Sequence, residues 1–287
     1  MFRRYLSGAL CFFLLPGILA RAAGANVGGT PGDNADEVWK NLMIQATYLA
    51  TDSHDNVKAE EMFLKALHEA EHFGPEDVRV GATHNRLGMV YRDEKKNTEA
   101  EASFRKALSI FETVYGDDNT DVGNISFNLG SVLIDQGRAP AAISFLQRSL
   151  QIYTKQLGEN SLKTADVECM IGDAYRLQRQ WHDAESPLSH CAKVREENSG
   201  ILAPEFGEAE NSLALVLQKE GKYVLADSAF KMAEKIRERS LGITSPALAE
   251  TLEAHGELLR GLGRDREADK DLKMAAAIRK LQARSKK

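Results

Sequence analysis

Residues 85–107 read NRLGMVYRDEKKNTEAEASFRKA, and 42 residues further on positions 127–149 read FNLGSVLIDQGRAPAAISFLQRS. The two stretches align without a gap. Leu87-Gly88-x-x-Tyr91 is answered by Leu129-Gly130-x-x-Leu133, and Ala100, Phe104 and Ala107 by Ala142, Leu146 and Ser149. Spacings of three, four and seven place each set on one face of a helix. Between the two sets lies a short polar stretch holding Lys95 in one copy and Gly137 in the other. Each copy is therefore expected to be two helices joined by a short turn.

The same unit continues along the chain. Ile171-Gly172-x-x-Tyr175, Leu213-Ala214-x-x-Leu217 and His255-Gly256-x-x-Leu259 extend the first helix pattern. Ala184/Leu188/Cys191, Ala226/Phe230/Ala233 and Ala268/Leu272/Ala275 extend the second. An earlier unit fits with a longer inner turn, through Tyr48, Ala59, Phe63 and Ala66. Gly74, Gly116, Gly158, Gly200 and Gly242 fall at the same 42-residue interval, each where a helix should end in left-handed geometry. Pro204 and Pro246 stand in the linkers that follow the last two. A glycine inside a helix costs about 1 kcal/mol relative to alanine. Its return at 88, 130, 172 and 256 predicts a seam where a facing helix leaves no room for a side chain.

This pattern resembles the tetratricopeptide repeat, with its Leu-Gly/Ala-x-x-Tyr, Ala, Phe, Ala signature. The 42-residue period and the Gly-x-x-x-Pro linker are most similar to the kinesin light chain type. The resemblance covers residues 36–287 and implies an all-α, right-handed α-solenoid of about six helix-turn-helix repeats. It also implies a non-enzymatic scaffold, without cofactor or metal, whose first helices line a concave groove for an unknown protein or peptide. On that implication the groove would present Asn85, Arg86 and Arg92, then Asn124, Phe127 and Asn128. Asp173 and Arg176 follow, then Asn211 and Lys219, and finally Glu253 and Glu257. Asn85, Asn128 and Asn211 are expected to be exposed there. The acidic last repeat favours a basic or amino-terminal peptide segment. The alternative reading is a structural subunit of an extracytoplasmic envelope assembly, using the opposite face or the helix ends.

The amino terminus has the order of a secretory signal. Arg3 and Arg4 precede an apolar run from Leu6 to Ala20, and small residues follow through Ala25. The run is short for a membrane span, which needs about 20 residues. Residues 1–25 are thus read as a signal peptide cut after Ala25 or Ala22, with an uncleaved anchor as the alternative. Residues 26–35 are read as a flexible linker, and the protein as exported, periplasmic or secreted. Loss of Arg3, Arg4 and Arg21 would carry the net charge from -5 to -8, which is no footprint for nucleic acid.

Few motifs point to chemistry. His68-Glu69-Ala70-Glu71-His72 fits H-E-x-x-H, the spacing of a zinc hydrolase. Its equivalents in later repeats are polar surface types such as Ser109, Lys193 and Arg239, so the pair is expected on a solvated face, and a zinc hydrolase is the remote third reading. Asp117-Asp118-Asn119-Thr120-Asp121 lacks the glycine and distal glutamate of a calcium loop and reads as a capping linker. Cys169 and Cys191 fall on the two helices of one repeat. Cys191 takes a small buried position and reads as an apolar filler, with a disulfide as the alternative. No phosphate-binding glycine loop and no G-x-S-x-G turn occurs.

Overall fold

The computed structural model describes residues 31–284, and all regular structure among them is helical. The proposed signal peptide, residues 1–25, and residues 26–30 of the linker lie outside that range. Twelve helices follow in six pairs. They are α1 (Pro31–Thr51) and α2 (Asn56–Glu71), α3 (Val78–Asp93) and α4 (Asn97–Tyr115), and α5 (Thr120–Asp135) and α6 (Ala139–Leu157). Then come α7 (Leu162–Leu177) and α8 (Trp181–Ser199), α9 (Pro204–Lys219) and α10 (Tyr223–Leu241), and α11 (Pro246–Gly261) and α12 (Asp265–Arg284). The first turn of α1 takes in residues 31–35, which the sequence reading assigns to the linker.

The sequence signals map onto the helix ends. Asp77, Asn119, Ser161 and Ser245 each cap a first helix, accepting from a backbone N–H of its first turn. Pro204 and Pro246 open α9 and α11, where a missing N–H is harmless. The inner turn of every repeat needs a residue at positive φ. Gly137, Gly221 and Gly263 supply it in three repeats, and His54, Lys95 and Arg179 supply it in the others at φ of 51°, 66° and 60°. Pro187 lies inside α8, the one described helix with a proline in its interior.

Helices α1–α5 form one compact unit and α6–α12 another, the division falling after Arg138. Within each unit a helix packs on the helices before and after it in sequence. The glycine seam is as the repeat predicts. A Cβ on Gly88 would lie 2.7 Å from the Phe104 ring, and one on Gly256 2.7 Å from Leu272 Cγ; on Gly172 it would overlap Leu188. The first helix thus leans on the large residue of its own second helix. A second small position, Gly81 and Gly207, meets Phe111 and Ile236 at 2.9 Å in the same way. In the first repeat the buried face of α1 is Trp39, Met43, Ala46 and Ala50, whereas Tyr48 is 60% exposed. The Tyr48 assignment is therefore corrected: Ala46, 42 residues before Gly88, holds the small position.

Candidate functional site

In the amino-terminal unit the candidate residues come from the first helices α3 and α5. Asn85, Arg86 and Arg92 are only 8%, 7% and 5% exposed, and Asn124, Phe127 and Asn128 are half-buried. Asn128 Nδ2 donates to Asn85 Oδ1 at 3.3 Å, and Arg92 Nε donates to Asp135 Oδ2 at 2.7 Å. Both bonds run from one repeat to the next. Asn124 turns back to Asp121 of its own helix at 3.3 Å. Burial lowers the pKa of the Arg86 guanidinium. The expectation that the asparagines stand exposed is corrected here. Neighbouring first helices come close enough for their polar side chains to bond one another, and the pairing buries Asn85.

In the carboxy-terminal unit the candidates come from α7, α9 and α11. Arg176 Nε pairs with Asp173 Oδ1 at 2.9 Å. Asn211 is half-buried and accepts from Thr251 Oγ1 at 3.0 Å, again between successive repeats. Glu253 accepts from both Nε and Nη2 of Arg279, at 3.0 and 2.9 Å. Lys219 and Glu257 are exposed. The Asn85–Asn128 contact and the Asn211–Thr251 contact thus belong to separate units, each complete in itself.

A row of arginines on the second helices bonds to this face from behind and is not singled out by the sequence reading. Arg195, Arg237 and Arg279 share one repeat position on the second helices α8, α10 and α12. Arg195 donates to Asp166 Oδ1 at 2.9 Å and to the Glu205 carbonyl at 2.7 Å. Arg237 donates to the Ala247 carbonyl at 2.9 Å and to Thr251 Oγ1 at 2.6 Å. Their signal was the 42-residue interval itself, masked in earlier repeats by Phe111 and Tyr153 at the same position.

Glu208, like Glu210 two residues on, lacks such a partner. It lies on α9, at the repeat position of Asn124, Asp166 and Glu250. Neither a hydrogen bond nor a salt bridge from the described residues holds its carboxylate. Burial, and after it the Asp173 charge, push its pKa up to about 7 against the partial relief of Arg195 and Arg237. A half-buried carboxylate without a partner is an unfavourable arrangement that an incoming cation would relieve.

The remaining sequence motifs fall elsewhere. His68 and His72 are both exposed on α2, their rings edge to face at 5.3 Å. Neither belongs to the groups of three metal-capable side chains found among the described residues. Cys169 and Cys191 are joined in a disulfide across α7 and α8, their Cα atoms 5.5 Å apart. That corrects the filler reading. Cys191 does occupy the small buried position, inside a cluster with Ala165, Val194 and Phe206. The sulfur of Cys169, at the repeat position of Asn85 and Asn211, is turned inward to meet it. Among the described residues no helix is long and apolar enough to cross a membrane.

The family model for the tetratricopeptide repeat matches residues 79–154, 121–197 and 205–280. No curated protein matches the sequence. Among solved structures the chain is similar to BtubC (BKLC) from P. vanneervenii, with TM-score 0.64 and 18% identity over 89% of this chain and 93% of that one. It is similar to a putative kinesin light chain with nearly identical TPR-like repeats from Podosopora anserina, with TM-score 0.61 and 16% identity over 71% and 96%. YrrB, described as a TPR protein with an unusual peptide-binding site, aligns with TM-score 0.52 and 16% identity over 77% and 98%. At such identities the likeness is one of fold. With more than half of its length matched by the family model, this chain belongs to the tetratricopeptide repeat family.

Proposed function

We propose that the chain is an exported, non-enzymatic scaffold whose first helices hold a protein or peptide partner, with a basic side chain or free amino terminus seated against Glu208. The single observation behind this reading is that carboxylate, half-buried and without a hydrogen-bond or salt-bridge partner among the described residues. An ion pair formed there on binding relieves an existing penalty, so it adds more affinity than the same pair at an exposed rim. The peptide-binding site attributed to YrrB supports the same use of the fold. Export is supported by the signal-like residues 1–25 and by the Cys169–Cys191 bond, since disulfides persist in oxidising compartments.

The test is selection of a random peptide library on the full chain, followed by titration of the enriched peptides against wild type and Glu208→Gln. Enriched sequences should carry Arg, Lys or a free amino terminus, and the variant should bind them at least tenfold more weakly. Enrichment without basic character, or equal affinity, would remove the proposal. An envelope subunit, the alternative, would instead run as a stoichiometric complex on size exclusion of native extract and ignore the Glu208 substitution.

A further inference from the structure

His255 occupies the seam position that is Leu87, Leu129, Ile171 and Leu213 in earlier repeats. It is 2% exposed and stacks on the Phe230 ring at 5.5 Å. Its neighbours depart from the repeat together with it. Glu234 stands where other repeats have Leu108, Leu150, Ala192 and Ala276, and Asp271 where they have Ser103, Phe145, Pro187 and Ala229. Three positions that are never ionisable elsewhere in these repeats thus become ionisable at one point, contributed by α10, α11 and α12.

The geometry gives the two ring nitrogens different roles. Nε2 faces Asp227 Oδ1 at 2.9 Å, and Asp227 is held in turn by Lys231 at 2.8 Å and Arg264 at 2.9 Å. Nδ1 faces Glu234 Oε1 at 2.6 Å and Asp271 Oδ2 at 3.3 Å. A histidine with one nitrogen tied to a carboxylate, and the other aimed at two further carboxylates, has the donor arrangement of a metal ligand fixed by its outer partner. We propose that Nδ1 of His255, Glu234 and Asp271 bind a divalent transition metal of the zinc class, with Asp227 as the residue that orients the ring. One imidazole and two carboxylates suit zinc, which keeps water in its fourth position when three protein groups bind it. Zinc binds such ligands at about 2.0–2.2 Å in tetrahedral geometry. Nδ1 and Glu234 Oε1 therefore move apart slightly from their present hydrogen-bonding separation. The carboxylates already favour positive charge here: burial opposes it, yet Asp271, Glu234 and Asp227 hold the ring's pKa up to about 10. The metal takes the place of that proton. It would fasten the last repeat, α11 and α12, to the second helix of the repeat before it.

The test uses the full chain, stripped with a chelator and titrated with zinc chloride by calorimetry and thermal melting. Wild type should bind zinc and melt at a higher temperature with it. His255→Gln should bind one equivalent less and lose the zinc-dependent rise. His68→Ala/His72→Ala should retain both, which separates this site from the H-E-x-x-H pair. Should His255→Gln fail to fold, Asp271→Asn, which keeps the ring and Asp227, is read in its place. Absence of zinc binding in wild type, an unchanged stoichiometry in the folded variant, or loss of the rise in the His68/His72 variant would overturn the proposal. A ring that serves only as a buried ion-pair centre gives the first of these results.

Discussion

Asn128 and Asn85 hydrogen-bond to each other across successive repeats, the amide of Asn128 donating to the Asn85 carbonyl oxygen at 3.3 Å while Asn85 is nearly out of solvent. A residue type suited to hold a peptide is therefore already engaged in holding two repeats together. In a protein whose repeats contact only their neighbours, such a bond is part of the interface energy.

Asn85→Ala should consequently lower the melting temperature, not leave it unchanged. Removing one side of a buried pair costs about 1–3 kcal/mol, because the group left behind loses its partner. Asn128→Ala should cost at least as much, since it leaves the nearly buried Asn85 amide without its partner, whereas water can still reach the half-buried Asn128. Denaturant melts of both variants measure this. An Asn85→Ala protein as stable as wild type would show that the amide pair contributes nothing.

Two helix glycines should respond to alanine in opposite directions. Alanine is preferred within a helix by about 1 kcal/mol. At Gly88 that preference meets a Phe104 ring 2.7 Å from the new Cβ, and overpacking typically costs about 1–3 kcal/mol. Gly88→Ala should therefore destabilise. At Gly261, the last residue of α11, nothing lies within 4 Å of a new Cβ. Gly261→Ala should stabilise by up to about 1 kcal/mol. Shifts of the same sign in thermal melts would refute the seam argument.

The inner turns make a related case. Lys95 and Arg179 sit at φ of 66° and 60°, where an L side chain costs about 1–2 kcal/mol. Glycine removes that strain but loses about 0.5–1 kcal/mol more through its unfolded-state freedom. Lys95→Gly and Arg179→Gly should each stabilise by a net of up to about 1 kcal/mol. A drop in stability for both would mean that the side chains make compensating contacts.

These turns and seams show what was readable in the residues. A 42-residue interval carries helix number, helix ends and seam, because each depends on residue size or backbone freedom at one position. Glu208, His255 and Arg195 carry the local chemistry, and for them the interval marks a position without giving its role. Their roles depend on which charges the facing helices bring, as Asp227, Glu234 and Asp271 do for His255. The asparagines were misread for the same reason: Asn85 looks solvent-facing on its own helix and is covered only when α5 arrives. Cys169 was misread because its repeat position elsewhere carries polar or aromatic residues.

The Cys169–Cys191 bond closes a loop of 22 residues between the two helices of the fourth repeat. Loops of that size correspond to roughly 3 kcal/mol of unfolded-state restriction. Dithiothreitol should therefore lower the melting temperature of wild type. Cys169→Ser/Cys191→Ser should melt at the lower temperature with or without the reductant. A reductant effect that persists in the double variant, or none in wild type, would contradict a formed bond.

Glu208 gives a pH signature that is independent of any partner. Its carboxyl titrates at about 7 in the folded chain instead of 4.5, chiefly because burial disfavours the anion and Asp173 adds to it. A raised acid pKa means the folded state holds the proton more tightly than the unfolded state between those two values. Stability from this group is therefore full below about pH 4.5, and it falls as pH rises towards 7. Glu208→Gln keeps the shape and removes the titration. The variant should match wild type near pH 4.5, overtake it steadily up to pH 7, and keep a constant lead above. The other ionisable groups acting on Glu208, namely Asp173, Glu205, Arg195 and Arg237, are unchanged in the variant and cancel in the difference. Urea melts of both proteins at half-unit steps from pH 4.5 to 8 give the curve. A difference that is flat with pH would mean that Glu208 ionises normally, and the cation seat built on it would lose its physical basis.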